Sequence, residues 1–64
     1  MNFGDYEVIP EEDGTYTLVG PADDRQGGFV RTKATSVRIM LSQGHYLVTA
    51  WMNTKTVFER RVDT

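Results

Sequence analysis

A hydrolytic site needs a nucleophile beside a base, and His45 is the sole histidine available as that base. Ser42 stands three residues before it in the turn Ser42-Gln43-Gly44-His45. A histidine beside glycine in a turn is much more often a plain surface residue than a catalytic one. We therefore predict that the protein is not an enzyme and has no catalytic residue.

The other residue types give little support to a metal or phosphate site. The absence of cysteine and the single histidine exclude an ordinary zinc site within one subunit. The acidic runs at 11–13 and 23–24 lack the alternating ligand spacing of a calcium loop, so solvated turns are the better interpretation. Gly27-Gly28 lacks the flanking strand, helix and lysine of a phosphate-binding loop. We expect no metal and no resident cofactor.

Charge is segregated along the chain. Residues 1–24 contain seven acidic residues and no Lys or Arg, whereas residues 25–64 contain all seven basic residues and two acidic ones. The halves are either adjacent strands whose charges pair across a sheet, or they form separate surfaces. Separate surfaces would give a basic face for phosphate, or attraction between neighbouring subunits. The residues of that predicted basic face are Arg31, Lys33, Arg38, Arg60 and Arg61.

The elements that position these residues are predicted to be strands. Residues 1–20 form an acidic hairpin, with strands at 5–9 and 15–19 around the turn residues Asp13-Gly14. Residues 20–28 form a polar, glycine-rich loop. Residues 29–64 then supply the basic strands, including an apolar strand at 46–52 and a mixed final strand at 56–62.

Residues 33–43 are open to two interpretations. Thr32 is a suitable cap for a helix that ends before Gly44. In the alternative, Val37, Ile39 and Leu41 alternate with polar or longer side chains, as in a strand with one buried face. The β-branched residues favour the strand.

Together these segments predict one all-β domain over 1–64, a small antiparallel β-sandwich or meander of about five strands. A domain of this size buries only about 60% of its unfolded surface. Without disulfides or a metal, oligomerisation remains as the means of adding stability. Both faces of the apolar strand need burial, so a second sheet or another subunit must cover it. The predicted oligomer interface comprises Tyr46, Val48, Trp51 and Met52, with Trp51 in a core or an interface rather than on a base-stacking platform.

The location is predicted to be the cytoplasm, with the chain soluble. The first residues lack the basic region and apolar stretch of a signal peptide. No apolar run approaches the ~20 residues that a membrane-spanning helix needs. We expect no membrane partner.

The order of these features resembles the trp RNA-binding attenuation protein (TRAP) family. The similar stretches run from Asp5-Tyr6-Glu7-Val8-Ile9 to Leu18-Val19-Gly20, and from Leu41-Ser42-Gln43-Gly44 to Val57-Phe58-Glu59-Arg60-Arg61. They cover about two thirds of the chain. The resemblance implies small β subunits that join edge to edge into a ring and bind single-stranded RNA in a regulatory role.

The site residues of that family are matched in part. Its two RNA-contacting basic residues on the last strand fall at Glu59 and Arg61, and its third falls at Met40. The resemblance therefore implies nucleic-acid contact by Arg61, with Arg60 beside it. The predicted basic face adds Arg38 as a further candidate for nucleic-acid contact. It also implies L-tryptophan between subunits, where Thr56 keeps a hydroxyl but Ala50 and Met52 do not.

The leading hypothesis from the sequence is a ring-forming homo-oligomer that binds RNA or another nucleic acid through the basic residues of its C-terminal half. The alternative is a protein-interaction module, a small regulator or inhibitor that presents a sheet edge or its acidic hairpin to another protein. A third interpretation is a purely structural subunit of an assembly.

Overall fold

The computed structural model describes residues 1–22 and 27–64, which form two antiparallel sheets. Sheet A has the strand order β1-β2-β3-β4 and sheet B has the order β5-β6-β7. The predicted all-β antiparallel fold is confirmed, although there are seven described strands rather than about five. The strands are β1 (Asn2–Phe3), β2 (Tyr6–Pro10), β3 (Tyr16–Pro21), β4 (Phe29–Ala34), β5 (Ser36–Ser42), β6 (His45–Met52) and β7 (Lys55–Asp63).

The predicted acidic hairpin is formed by β2 and β3. Its turn is closed by hydrogen bonds from the Gly14 N–H to the Glu11 C=O (3.2 Å) and from the Glu11 N–H to the Thr15 C=O (2.9 Å). Gly14 has a φ of 86°, a left-handed conformation that glycine adopts without steric cost. The Asp13-Gly14 signal thus identified the turn correctly. Val8 pairs with Leu18 in the resulting register.

The segment 33–43 is strand, as the alternation favoured, and the helix alternative is wrong. The chain passes from sheet A to sheet B at Thr35, which separates β4 from β5. The Thr35 N–H donates to the Trp51 C=O at 2.7 Å, and the Thr35 hydroxyl accepts from the Asn53 N–H at 2.7 Å. Thr35 therefore forms a hydrogen-bonded corner with Trp51 and Asn53. This corner divides the predicted strand at 33–43 between β4 and β5.

The core lies between the two sheets. Tyr6 is central to it, because its ring meets Tyr46 and Phe58 edge-on, with centroid separations of 6.5 and 6.2 Å. Val37 and Ile39 of β5 pack against the margin of this core. The buried hydrophobic residues are Tyr6, Val8, Leu18 and Ala34 from sheet A, with Tyr46, Val48 and Ala50 from sheet B.

The predicted loop at 20–28 overlaps the end of β3, because Gly20 and Pro21 are still strand. The Ala22 N–H donates to the Gly28 C=O at 2.8 Å just before β4 begins. Residues 23–26 of that loop lie outside the described residues. In the described part of the chain, no helix is long and apolar enough to span a membrane.

Candidate functional site

Arg60 points into the space between the sheets. Its Nη1 donates to the Pro21 C=O at 2.6 Å and to the Tyr6 hydroxyl at 3.3 Å. Its guanidinium also lies 5.3 Å from the centroid of the Phe58 ring. These contacts link β7 to sheet A and give Arg60 a structural role, which differs from the predicted contact with nucleic acid.

Arg61 and Arg38 lie on the outer face of sheet B, the face away from sheet A. The Arg61 side chain points to the opposite face from the Arg60 side chain, because successive residues of a strand alternate between faces. Its Nε donates to the Asp63 carboxylate at 3.0 Å in an exposed ion pair. The Arg38 guanidinium lies 5.4 Å from the centroid of the half-buried Trp51 ring. This face therefore presents two arginines and one tryptophan, together with the carboxylates of Glu59 and Asp63.

The remaining basic residues of the predicted face lie on sheet A. Arg31 pairs with Val19 and Lys33 pairs with Thr17, which places both on the sheet A face that points away from sheet B. Lys33 contacts Asp13 at 3.1 Å. The five basic residues are consequently divided among two outer faces and the interior, instead of lining one face. The corner at Thr35 sends the two halves of the basic segment into different sheets, and strand alternation turns Arg60 inward and Arg61 outward.

Asp13 organises the tip of the acidic hairpin. Its carboxylate accepts hydrogen bonds from the Thr15 hydroxyl at 2.6 Å and the Thr15 N–H at 3.0 Å. These bonds and the Lys33 ammonium lower the pKa of Asp13 from 3.8 to about 2. The acidic and basic halves of the chain therefore pair at this point. This is the alternative in which charges of adjacent strands pair across one sheet.

The four residues of the predicted oligomer interface separate into two groups. Tyr46 and Val48 are core residues of the protomer, with 7% and 0% of their surface exposed, so sheet A already covers them. Trp51 and Met52 are half-buried at the end of β6. Thr56, the predicted remnant of a tryptophan pocket, is exposed and paired with Trp51. The sequence pattern indicated that both faces of the strand at 46–52 need to be covered. It did not show which face packs against the second sheet.

His45 lies in a row of cross-strand neighbours on the outer face of sheet B. It pairs with Ser42 on β5 and with Asp63 on β7. In residues 1–22 and 27–64 no hydrogen bond joins these three side chains, and the Asp63 carboxylate is taken by Arg61. The same residues contain no group of three or more His, Asp or Glu side chains suited to a metal ion.

The four outer strands of the two sheets differ in how open they are. An open strand edge pairs readily with another chain, and natural proteins protect it with short strands, bulges, Lys and inward-pointing charges. β1 has two residues, β4 carries Lys33, and β7 has an irregular register near Trp51 and the inward Arg60. β5 has seven residues and one charge, Arg38, and no described strand pairs with its outer side.

The hydrogen-bonding direction along β5 follows from its turn. Ser42 and His45 flank a two-residue turn and are therefore a hydrogen-bonded pair. Because bonded and non-bonded pairs alternate, the N–H and C=O groups of Val37, Ile39 and Leu41 point away from β6. Leu41 is 65% exposed at this edge. We call these outward-pointing groups the β5 edge.

A groove of about 440 Å³ lies between the two sheets, beside the Ser36–Val37 end of β5. Val37 and Ser36 form its β5 side, while Val8, Pro10 and Tyr16 form its sheet A side. Its lining is mainly apolar. The β5 edge thus combines free backbone groups with an apolar groove at its Val37 end and an exposed leucine at its other end. Neither the charge pattern nor the hydrophobic pattern of the sequence had indicated this surface.

Comparisons with family models, curated proteins and solved structures find no match to this chain. The resemblance to the attenuation-protein family, and the ring, RNA and tryptophan that it implies, therefore remain predictions from the sequence.

Proposed function

We propose that this protein is a non-enzymatic protein-interaction module that accepts an extended polypeptide strand at the β5 edge. The observation that carries the proposal is the contrast between β5 and the other outer strands. Strand addition uses main-chain hydrogen bonds for affinity and side-chain pockets for specificity. The backbone groups of Val37, Ile39 and Leu41 supply the hydrogen bonds, and the groove beside Val37 supplies a side-chain pocket.

The charge on β5 is suited to this role. Arg38 lies on the outer face over Trp51, so it does not project into the groove or across the edge. Met40 and Leu41, with 42% and 65% of their surface exposed, leave apolar area for a partner to cover. A regulatory role in the cytoplasm is part of the proposal and derives from the sequence.

Selection from a random heptapeptide library displayed on phage tests the proposed function. The immobilised protein, used at nanomolar concentration, should enrich peptides with alternating apolar residues. One face of an added strand faces the space between the sheets, and the other faces water. Binding of the selected peptides should fall at least tenfold with Leu41→Lys. The matched control is Phe29→Lys, which changes an equally exposed apolar side chain on β4 and should leave binding unchanged. Peptides that bind Leu41→Lys as tightly as the wild type would contradict the proposal.

A second candidate function is nucleic-acid binding on the outer face of sheet B. It is favoured by the position of Arg38 and Arg61 on the same face as the half-buried Trp51. A single subunit with two such charges would bind weakly, whereas an oligomer, such as the ring implied by the resemblance, would repeat the surface and gain affinity.

A salt titration with mixed single-stranded RNA tests this second candidate. Binding should weaken steeply as salt rises, and the Arg38→Ala, Arg61→Ala double variant should abolish it. The Arg31→Ala, Lys33→Ala double variant removes the same amount of charge from sheet A and should bind as the wild type does. Equal losses in both double variants would indicate a charge effect without a specific surface. No binding at low salt would exclude this function.

A further inference from the structure

The residues of β5 form a sequence that is nearly symmetric in chemical type about Ile39. Serines occupy both ends at 36 and 42, and the aliphatic residues Val37 and Leu41 come next inside them. Long side chains at 38 and 40 flank the centre. We propose that the occupant of the β5 edge is β5 of a second copy of this chain, antiparallel about a twofold axis at Ile39. This inference rests on the proposed function.

The hydrogen bonds of this arrangement are complete. With Ile39 opposite Ile39 of the second copy, Val37 lies opposite Leu41 of that copy, and the reverse pair forms by symmetry. All three of these positions carry outward N–H and C=O groups, so every outward group of the edge finds a partner. Three hydrogen-bonded pairs would join the two sheets B into one continuous six-stranded sheet.

Charge disfavours the neighbouring register that has its axis at Arg38. Shifting the axis by one residue to Arg38 would place two arginine side chains opposite each other, and like charges at directly opposed positions are destabilising. With the axis at Ile39, Arg38 lies opposite Met40 of the second copy. The methionine is 42% exposed in the single chain and would be covered by the aliphatic part of the arginine.

The groove accounts for the exposed leucine. Leu41 alternates in step with Val37 and Ile39, so its side chain belongs to the face of sheet B that points toward sheet A. In the pairing, Leu41 of the second copy is beside Val37, which lines the groove with Val8. Each leucine would therefore enter the groove of the other copy, and the two cores would become continuous.

Sedimentation equilibrium of the whole chain tests the inference. The wild type should form dimers at about 100 µM protein and dissociate toward the monomer on dilution, because a pairing through one strand edge buries a small interface. Leu41→Lys should sediment as a monomer at the same concentrations, because it places a charge in each groove. Phe29→Lys should remain a dimer.

The other outcomes overturn the inference in distinguishable ways. A monomeric wild type that still selects strand peptides at the β5 edge would leave the proposed function standing and exclude the second copy as occupant. A larger ring would indicate head-to-tail contacts in place of the twofold pairing. A dimer that persists in Leu41→Lys, with circular dichroism showing both proteins folded, would place the contact elsewhere.

Discussion

At the scale of single residues, two adjacent arginines have different roles. Arg60 bonds to the Pro21 C=O and the Tyr6 hydroxyl, whereas Arg61 contacts Asp63 in solvent. Arg60→Ala should lower the free energy of unfolding by about 1.5–3 kcal/mol, the range for hydrogen bonds from a charged group. Arg61→Ala should change it by about 0.5 kcal/mol or less. Urea unfolding of the two variants measures the contrast, and equal effects would refute the inward role of Arg60.

Gly20 is required by close packing against Tyr6. A Cβ at this position would overlap the Cδ1 and Cε1 atoms of the Tyr6 ring, which is only 2% exposed and cannot move aside. Gly20→Ala should therefore destabilise the protein by about 1–3 kcal/mol. Gly28→Ala is the control, because its Cβ would meet only Ala22, at an ordinary contact distance. Thermal unfolding that shows equal shifts for both variants would contradict this packing.

The hairpin tip should make stability depend on acidic pH. The pKa of Asp13 is lower in the folded protein, about 2, than its ordinary value of 3.8. A lowered pKa stabilises the folded state when the pH is above the pKa of the unfolded state. This contribution is lost as the pH falls from about 4 toward 2. Asp13→Asn should remove that part of the pH dependence, and Glu12→Gln, on the same turn, should retain it. Urea unfolding between pH 2 and 5 measures the difference, and NMR titration of the Asp13 carboxyl should give a pKa near 2.

At the scale of elements, the proposed function depends on the direction of the backbone hydrogen-bonding groups on β5. Leu41→Pro removes an N–H that points to the open edge, so in dilute protein it should cost under about 1 kcal/mol. Met40→Pro removes an N–H that pairs with Leu47, so it should cost about 1–3 kcal/mol and loosen β6. Urea unfolding distinguishes the two. A greater loss in Leu41→Pro would mean that the assigned directions are reversed.

The strands themselves were largely predictable from the sequence. The Asp13-Gly14 turn signal and the alternation of Val37, Ile39 and Leu41 follow from local backbone and side-chain chemistry. The corner at Thr35 was not predictable, because its hydrogen bonds go to Trp51 and Asn53, far along the chain. The corner in turn assigned the basic residues to different sheets, and the single basic face was lost with it.

At the scale of the whole molecule, the sequence predicts a partner, and the open β5 edge is where we propose that it binds. The apolar strand 46–52 indicated that something must cover both of its faces. Sheet A covers the side with Tyr46 and Val48, which made them core residues. The open edge lies one strand away, on β5, because edge status depends on strand order, and strand order is a property of the whole fold. No periodicity in β5 alone carries that information.

Assembly through β5 would also couple the two candidate functions. A twofold dimer joins the outer faces of two sheets B, which brings two copies of Arg38, Arg61 and Trp51 onto one continuous surface. Nucleic-acid binding, if present, should then weaken in Leu41→Lys together with the dimer. A salt titration of RNA binding by Leu41→Lys, compared with Phe29→Lys, measures this. Undiminished binding by the monomeric variant would separate the two surfaces.

Disulfide trapping tests the pairing of β5 with a second copy most directly, since the chain has no cysteine of its own. In the proposed register Arg38 lies opposite Met40 of the second copy as a non-hydrogen-bonded pair, with Cα atoms about 4.5 Å apart, within reach of a disulfide. Mixing Arg38→Cys with Met40→Cys protein should give a rapid covalent dimer under mild oxidation. Each variant alone should cross-link slowly, because like positions are about 7–8 Å apart on the diagonal. Equal cross-linking in the mixture and in the separate variants would contradict the proposed pairing.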